Sequence, residues 1–233
     1  MNSNRKTAVI VGVLFITATV AGVLGGMLGL TFTGPSNAPD YFTNISANVN
    51  QLTTAGLFIL IMGFAAAGIG IMMYPILKKH NEALALGYAG FRIIEGVLLS
   101  VSVVSLLSIL TLSQEFVAGA PDASYFQTLG TLLQKGQYWA YHVGTISFGL
   151  AAAMFYYLLY QSKLIPRWLS GWGLIGVPLW LAVSLLIMFG SITESLEIFF
   201  YLPIAVNEMV LAVWLIVKGF NPSAIASGSV KQI

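Results

Sequence analysis

The sequence predicts an all-α integral membrane protein, folded as a bundle of six transmembrane helices. Of its 233 residues, 58% are hydrophobic and only 8% are charged, whereas soluble domains carry about 25% charged residues. Six apolar stretches are long enough to cross a bilayer, and basic residues cluster on alternate connections between them. A soluble chain of this length has too little interior to hide so much apolar surface, so lipid is the solvent that the composition fits.

The six predicted spans place the whole chain, 1–233, in a single membrane domain. A hydrocarbon core of roughly 30 Å requires about 20 helical residues. The first apolar stretch follows Arg5 and Lys6, as in a signal peptide, but it is longer than the apolar part of one and no small-x-small cleavage pattern follows it. We therefore interpret it as a true span. The spans are 8–30, 52–77, 84–112, 134–160, 168–190 and 196–218.

The distribution of basic residues predicts the orientation, because cytoplasmic connections carry an excess of lysine and arginine. One set of termini and connections holds Arg5, Lys6, Lys78, Lys79, Lys163, Arg167, Lys218 and Lys231. The opposite set holds Lys135, beside Asp40, Glu115, Asp122, Glu194 and Glu197. All six spans agree with one arrangement, in which both termini lie in the cytoplasm.

Small residues recur at spacing four in the first two spans, which stacks them on one helix face and lets neighbouring backbones approach closely. We favour packing within one subunit over a dimer interface, and the oligomeric state stays open. Prolines 178 and 203 lie inside the last two spans, where each removes a backbone donor and can kink its helix. The small-residue sets are Ala18/Gly22/Gly26, Ala21/Gly25/Gly29, Gly63/Ala67 and Ala66/Gly70.

Two non-cytoplasmic segments resemble each other and suggest an internal repeat. "APDYFTNI" begins at Ala38 and "APDASYFQTL" at Ala120, and further matches downstream keep an offset of about 83 residues. One hypothesis is a bundle built from tandem helical hairpins of parallel orientation. The alternative is chance similarity.

Five polar residues lie within the spans and form the candidate site. Arg92 and Glu95, at spacing three, share a helix face, and at 1.5 Å per residue they lie roughly 12 and 16 Å deep from a cytoplasmic end near Leu84. Glu208, with Asn207 beside it, lies at roughly 15 Å on the last span. His142 lies closer to the outer side, in "QYWAYHVG".

The charges at this depth do not balance. Arg92 contributes one positive charge, and Glu95 and Glu208 contribute two negative charges. Burying the remaining negative charge is expensive, so we expect a proton, a charged His142 or a bound cation to neutralise it. The alternative is structural: Arg92 and Glu95 form a clamp, and His142 makes an interior hydrogen bond within an aromatic belt.

Several classes of protein are excluded or disfavoured. The chain has no cysteine, which excludes thiol chemistry and cysteine metal sites. A single histidine within a span excludes bis-histidine haem, no mid-membrane lysine is present for retinal, and no Walker, GxSxG or HExxH motif occurs. The net charge of +2, with basic residues at span ends, does not indicate nucleic acid. We predict no cofactor, no metal and no enzyme, although a Ser–His pair using His142 stays open.

Three stretches carry a resemblance to a known family: "YPILKKHNEALALGYAGFRIIEG", "FYYLLYQSKLIPRWLSGWGLIG" and "NEMVLAVWLIVKGFNPSA". The chain resembles the domain-of-unknown-function family 4386 of prokaryotic integral membrane proteins over nearly its whole length. The resemblance implies a polytopic protein of a bacterial or archaeal cytoplasmic membrane, and it implies no mechanism. The stretch "QKGQYWAYHVG" departs from the pattern, so a role for His142 does not extend to the family.

Three functional hypotheses follow from these observations. The first is a proton-coupled carrier or channel for a small solute, using the unbalanced acidic site. The second is a non-catalytic sensor or accessory module that binds a lipid-like or small ligand, with structural charges. An intramembrane enzyme is the third. The expected partners are the lipid bilayer and a small-molecule or proton ligand.

Overall fold

The protein is described by a computed structural model over residues 3–30, 40–119, 123–191 and 197–230. Every element in these ranges is a helix. Parts of the predicted pattern lie outside the described residues: positions 38–39 and 120–122 of the repeat motif, and Glu194 and Lys231 of the charge distribution. The internal repeat therefore stays a prediction.

The described residues form eight helices, of which six are long and apolar enough to cross a membrane, which confirms the predicted all-α fold class. Two short helices, α2 and α8, lie outside this set. The helices are α1 (Ser3–Leu30), α2 (Tyr41–Ala47), α3 (Val49–Leu77), α4 (Glu82–Val117), α5 (Ala123–Ser162), α6 (Arg167–Met188), α7 (Glu197–Val217) and α8 (Pro222–Val230).

The six long helices pack as a ring in chain order. Helix α1 packs on α3, α3 on α4, α4 on α5, α5 on α6, and α6 on α7, while α7 returns to pack on α1. Consecutive antiparallel hairpins produce this order, because short connections keep sequence neighbours side by side.

Aromatic side chains fill part of the ring interior. The rings of Tyr88 on α4 and Phe155 on α5 stack with centroids 4.7 Å apart, and Phe15 on α1 lies 6.2 Å from Phe155. All three side chains are at most 2% exposed. At this level the centre of the ring is a packed core and not an open pore.

Small residues form the seams that the sequence predicts within the subunit. A Cβ added to Gly96 would lie 2.7 Å from the Gly63 carbonyl oxygen, and one added to Gly70 would lie 2.8 Å from Arg92 Cβ. A Cβ added to Gly25 would lie 2.8 Å from Ile59 Cδ1 of α3. Glycine at these positions therefore lets α3 approach α1 and α4, whereas Gly26 and Gly29 of the same pattern have no neighbour within 4 Å.

Helices α4 and α5 are longer than the bilayer requires. At 1.5 Å per residue they measure about 54 and 60 Å, so they extend past the predicted spans at the end that the sequence predicts to be non-cytoplasmic. There α2 packs on α4, and a second hydrophobic cluster forms around Tyr41, Phe42 and Ile109. Burial raises the pKa of the Tyr41 hydroxyl to about 12, so this hydroxyl stays neutral. We call this group the outer cluster.

Three prolines lie inside membrane-crossing helices. Pro178 and Pro203 are within α6 and α7 as the sequence predicts, and Pro75 is within the last turn of α3. Because proline lacks an N–H, the carbonyls of Leu174 and Phe199 lose their usual helical partner. Pro203 lies five residues before Glu208 on the same helix, so this local loss of backbone bonding is close to the candidate site.

Candidate functional site

The structure pairs Arg92 with Glu95 inside the ring. Nη1 of Arg92 lies 3.0 Å from Oε2 of Glu95, and both residues are 4% exposed. Nε of Arg92 donates to the Ala66 carbonyl of α3 at 3.2 Å, and the guanidinium lies 5.3 Å from the centre of the Phe148 ring of α5. Three helices therefore hold the arginine, and the small residues of α3 allow this approach.

The Arg92–Glu95 contact is an ion pair without good hydrogen-bond geometry. Oε2 of Glu95 is buried and has no hydrogen-bond partner among the described residues, although it is the oxygen closest to the guanidinium. A buried charge-pair is strong only when its remaining hydrogen-bonding capacity is also satisfied. Glu95 therefore keeps the capacity to accept a further hydrogen bond.

Glu208 approaches the same group from α7. It shares a helix face with Ile204, Leu211 and Leu215, each at most 1% exposed, since these positions are one or two turns away. Its carboxylate interacts electrostatically with Arg92 and with Glu95. Among the described residues it makes no hydrogen bond and no ion pair, and its side chain is only partly buried.

Two tyrosines complete the group, which we call the central polar cluster: Tyr88, Arg92, Glu95, Tyr156 and Glu208. Both tyrosines are fully buried and interact electrostatically with Arg92 and Glu208. The Tyr156 hydroxyl has no hydrogen-bond partner in the described structure. Reasoning from sequence missed both residues, although Tyr88 precedes Arg92 by one helical turn and therefore shares its face.

Asn207 is adjacent to Glu208 in sequence but is directed toward α6. Its Nδ2 donates to the Leu169 carbonyl at 3.0 Å, and the residue is 0% exposed. Its Oδ1 is buried without a hydrogen-bond partner among the described residues. Asn207 therefore joins α7 to α6 beside the central polar cluster and leaves one acceptor unused.

His142 lies in a different environment. It is 5% exposed, and its ring lies 4.2 Å from that of Tyr138, with Trp139 and Tyr141 also nearby. The Thr145 hydroxyl donates to the His142 carbonyl at 2.7 Å. The described contacts thus place His142 in the aromatic group of its own helix, and its role in proton binding stays a prediction.

A second polar network, also missed from sequence, crosses three helices near His142. The Thr145 hydroxyl lies 3.4 Å from the Ser184 hydroxyl, which lies 3.0 Å from the Tyr201 hydroxyl. Trp180 Nε1 donates to the Thr145 carbonyl at 2.8 Å, and its ring stacks on Tyr201 at 3.8 Å. This network fixes α5, α6 and α7 relative to one another.

The chemistry available at the central polar cluster is the exchange of a proton or the binding of a cation. One guanidinium faces two carboxylates, so the ionised group carries a net charge of −1. Three buried oxygens nearby, on Glu95, Tyr156 and Asn207, have no hydrogen-bond partner among the described residues. The described residues contain no group of three acidic or histidine side chains placed to hold a metal ion.

Gly173 of α6 makes room for Tyr156, and we expect its replacement by alanine to destabilise the protein. A Cβ at this position would overlap the tyrosine ring, and forcing an extra methyl into a packed core costs about 1–3 kcal/mol. Unfolding in detergent measures the loss. Gly90→Ala is the matched control, because nothing lies within 4 Å of a Cβ there. Equal stability of the two variants would contradict the proposed packing role.

The six membrane-crossing helices and the buried charges between them place the protein in the class of multi-pass helical membrane proteins. The chain belongs to the family described as Domain of unknown function (DUF4386), whose model matches residues 10–219. This match confirms the family resemblance seen in the sequence. No curated protein and no solved structure matches the chain.

Proposed function

We propose that the protein is a proton-coupled carrier of a small solute, and that the central polar cluster binds the coupling proton. The observation that carries this proposal is the charge imbalance around Glu208, the one carboxylate of the cluster without an ion pair in the described structure. A charge held at mid-depth in a membrane protein is costly and is associated with ion pathways and proton relays. A proton on Glu208 brings the cluster to neutrality.

The surroundings of Glu208 support coupling between proton binding and helix movement. Glu208 is on α7, whereas Arg92 and Glu95 are on α4, so a change of charge on Glu208 alters the force between two helices. Pro203, one to two turns away, weakens the backbone bonding of α7. The packed aromatic interior favours a carrier that changes conformation over a permanently open channel.

The test is a flux measurement on the purified chain in liposomes. A pH-sensitive dye inside the vesicles reports proton movement under an imposed pH gradient, while a panel of amino acids, sugars, organic acids and amines is supplied in turn. We expect at least one solute to accelerate proton entry, and an imposed proton gradient to drive accumulation of the same solute. Failure to move protons under any gradient, across the whole panel, counts against the carrier.

A second candidate function is a non-catalytic module that senses or binds a lipid-like ligand. The outer cluster favours it, because α2 and the extended ends of α4 and α5 form a folded surface beyond the predicted spans. A ligand that binds only the folded state raises the unfolding temperature. Stabilisation by a copurifying compound, in a protein that moves no solute in the liposome assay, would support this function and contradict the first.

We also propose that the protein lies in a prokaryotic cytoplasmic membrane with both termini in the cytoplasm. The native chain has no cysteine, so single cysteines report topology without background. Ala83→Cys, in the first turn of α4, is expected to be shielded from a membrane-impermeant maleimide in intact cells and labelled after lysis. Glu115→Cys, at the other end of α4, is expected to react in intact cells. The opposite labelling pattern would reverse the orientation.

A further inference from the structure

A cleft of about 520 Å³ lies at the predicted cytoplasmic end of the bundle, away from the central polar cluster. Its walls come from the α5–α6 connection, 163–166, and from the segment that joins α7 to α8, 218–221. Three basic side chains line it: Lys163, Arg167 and Lys218. These residues also contribute to the charge asymmetry that predicts the orientation of the chain.

Two residues with positive φ and hydrogen bonds between the two connections shape the backbone around this cleft. Lys163 has a φ of +57° and is the one non-glycine residue with a positive φ in the described ranges, while Gly219 opposite has a φ of +73°. The Asn221 N–H donates to the Leu164 carbonyl at 2.9 Å, and Asn221 Nδ2 donates to the Lys163 carbonyl at 3.4 Å. Hydrogen bonds thus join the two connections, and Lys163 holds a left-handed conformation that costs energy outside glycine.

The charge of the cleft is positive without internal compensation. Its lining residues include no aspartate or glutamate, and no described carboxylate forms an ion pair with the three basic side chains. The Arg167 guanidinium lies 5.2 Å from the Tyr160 ring centre, and the residue is exposed to solvent. Arg5 donates to the Leu215 and Ile216 carbonyls and so offsets the negative end of α7.

The walls combine this charge with apolar surface. Trp214, Ile165 and Phe220 line the same cleft, and tryptophan is enriched at the level of lipid headgroups. A cleft lined by both cationic and apolar residues matches a molecule with an anionic head and an apolar body. Basic pockets between transmembrane helices on the cytoplasmic side bind phosphate-bearing headgroups in this way.

We propose that this cleft binds a phosphate group through Lys163, Arg167 and Lys218, and that an anionic phospholipid headgroup supplies it. Solvated basic residues at a membrane surface attract anionic lipid without a defined site. A specific binding site differs from this general attraction because three basic residues converge on one concave surface. Lys6, Lys78 and Lys79, which do not line the cleft, provide the comparison.

The experiment is a titration of the detergent-solubilised protein with phosphatidylglycerol and, separately, with phosphatidylcholine, with bound lipid measured by native mass spectrometry. We expect phosphatidylglycerol to bind in preference. The variant Lys163→Gln/Arg167→Gln/Lys218→Gln should bind it about a hundredfold more weakly, at roughly a factor of five for each charge removed. The control Lys6→Gln/Lys78→Gln/Lys79→Gln, which removes the same charge, should keep the parent affinity within about a factor of five, roughly the contribution of one charge.

Two further arms identify the source of the phosphate. Inorganic phosphate and glycerol phosphate are titrated in the same assay, and binding of either, with the same loss in the cleft variant only, assigns the site to a soluble phosphate compound. Equal weakening in the cleft variant and the control, or no preference over phosphatidylcholine, overturns the proposal. If the triple variant does not fold, Lys218→Gln alone is compared with Lys79→Gln, with an expected difference of about a factor of five.

Discussion

Replacing Arg92 by glutamine is expected to lower the free energy of unfolding by about 3–5 kcal/mol, the typical cost of removing one partner from a buried ion pair. Arg92 supplies the one positive charge of the central polar cluster, and its Nε bonds the Ala66 carbonyl of α3. Without it, the buried Glu95 and the partly buried Glu208 remain with no cation of the cluster beside them. The stability of each variant is measured by titration with sodium dodecyl sulfate in mixed micelles.

The double variant Arg92→Gln/Glu95→Gln tests whether the stability lost in Arg92→Gln comes from leaving the Glu95 charge unpaired. Because it removes both charges of the pair, we expect most of the lost stability to return, as it does when a buried pair is replaced by neutral groups. Lys6→Gln is the matched control, since that lysine is exposed and a surface change of this kind stays within about 0.5 kcal/mol. A single Arg92→Gln variant as stable as this control would rule out a structural role for the arginine.

Replacing Glu208 by glutamine is expected to reduce solute-coupled proton flux to the level of empty liposomes, while the stability of the fold is kept. Glutamine has nearly the same shape but cannot ionise, so it removes the proposed proton site. Glu208 makes no ion pair in the described structure, so its neutralisation leaves no partner charge unpaired and the penalty of about 3–5 kcal/mol does not apply. Flux in liposomes and unfolding in mixed micelles are measured on the same preparations.

The controls for Glu208 distinguish a proton site from a general effect of charge. Glu115→Gln, which alters an exposed carboxylate near the C-terminal end of α4, should transport as the parent does. Glu208→Asp should recover part of the flux, because it restores an ionisable group at a slightly altered position. A loss of stability as large as that of Arg92→Gln would instead assign Glu208 a structural role, and parent-like flux in Glu208→Gln would move the proton site elsewhere.

The predicted spans agree with the observed helices because the signal is local and large. Each apolar run must form a helix to satisfy its backbone inside lipid, and the length of the run indicates how many crossings occur. The ends of α4 and α5 were less predictable, since residues 113–117 and 123–133 are polar enough to read as loop. The contacts of Phe42 with Phe116, and of Phe116 with Phe126, show how the outer cluster covers these ends.

The candidate site, like the helices, was predictable from the sequence only in part. The Arg92–Glu95 pair was predictable because residues three apart on a helix share a face, and this spacing is visible in the sequence. The approach of Glu208 to this pair depends on how the ring of helices places α7 relative to α4, which no local sequence pattern predicts. Tyr156 was missed for a related reason, since its burial depends on the space that Gly173 leaves on another helix.

By itself, the sequence determined the six membrane-crossing helices, the family and the pairing of Arg92 with Glu95, because hydrophobicity and helical periodicity act within one segment. Only the tertiary structure decided that Asn207 bonds α6 and that three basic residues converge on one cleft. The physical reason is that these contacts join segments distant in sequence, and helix packing alone sets the distances between them.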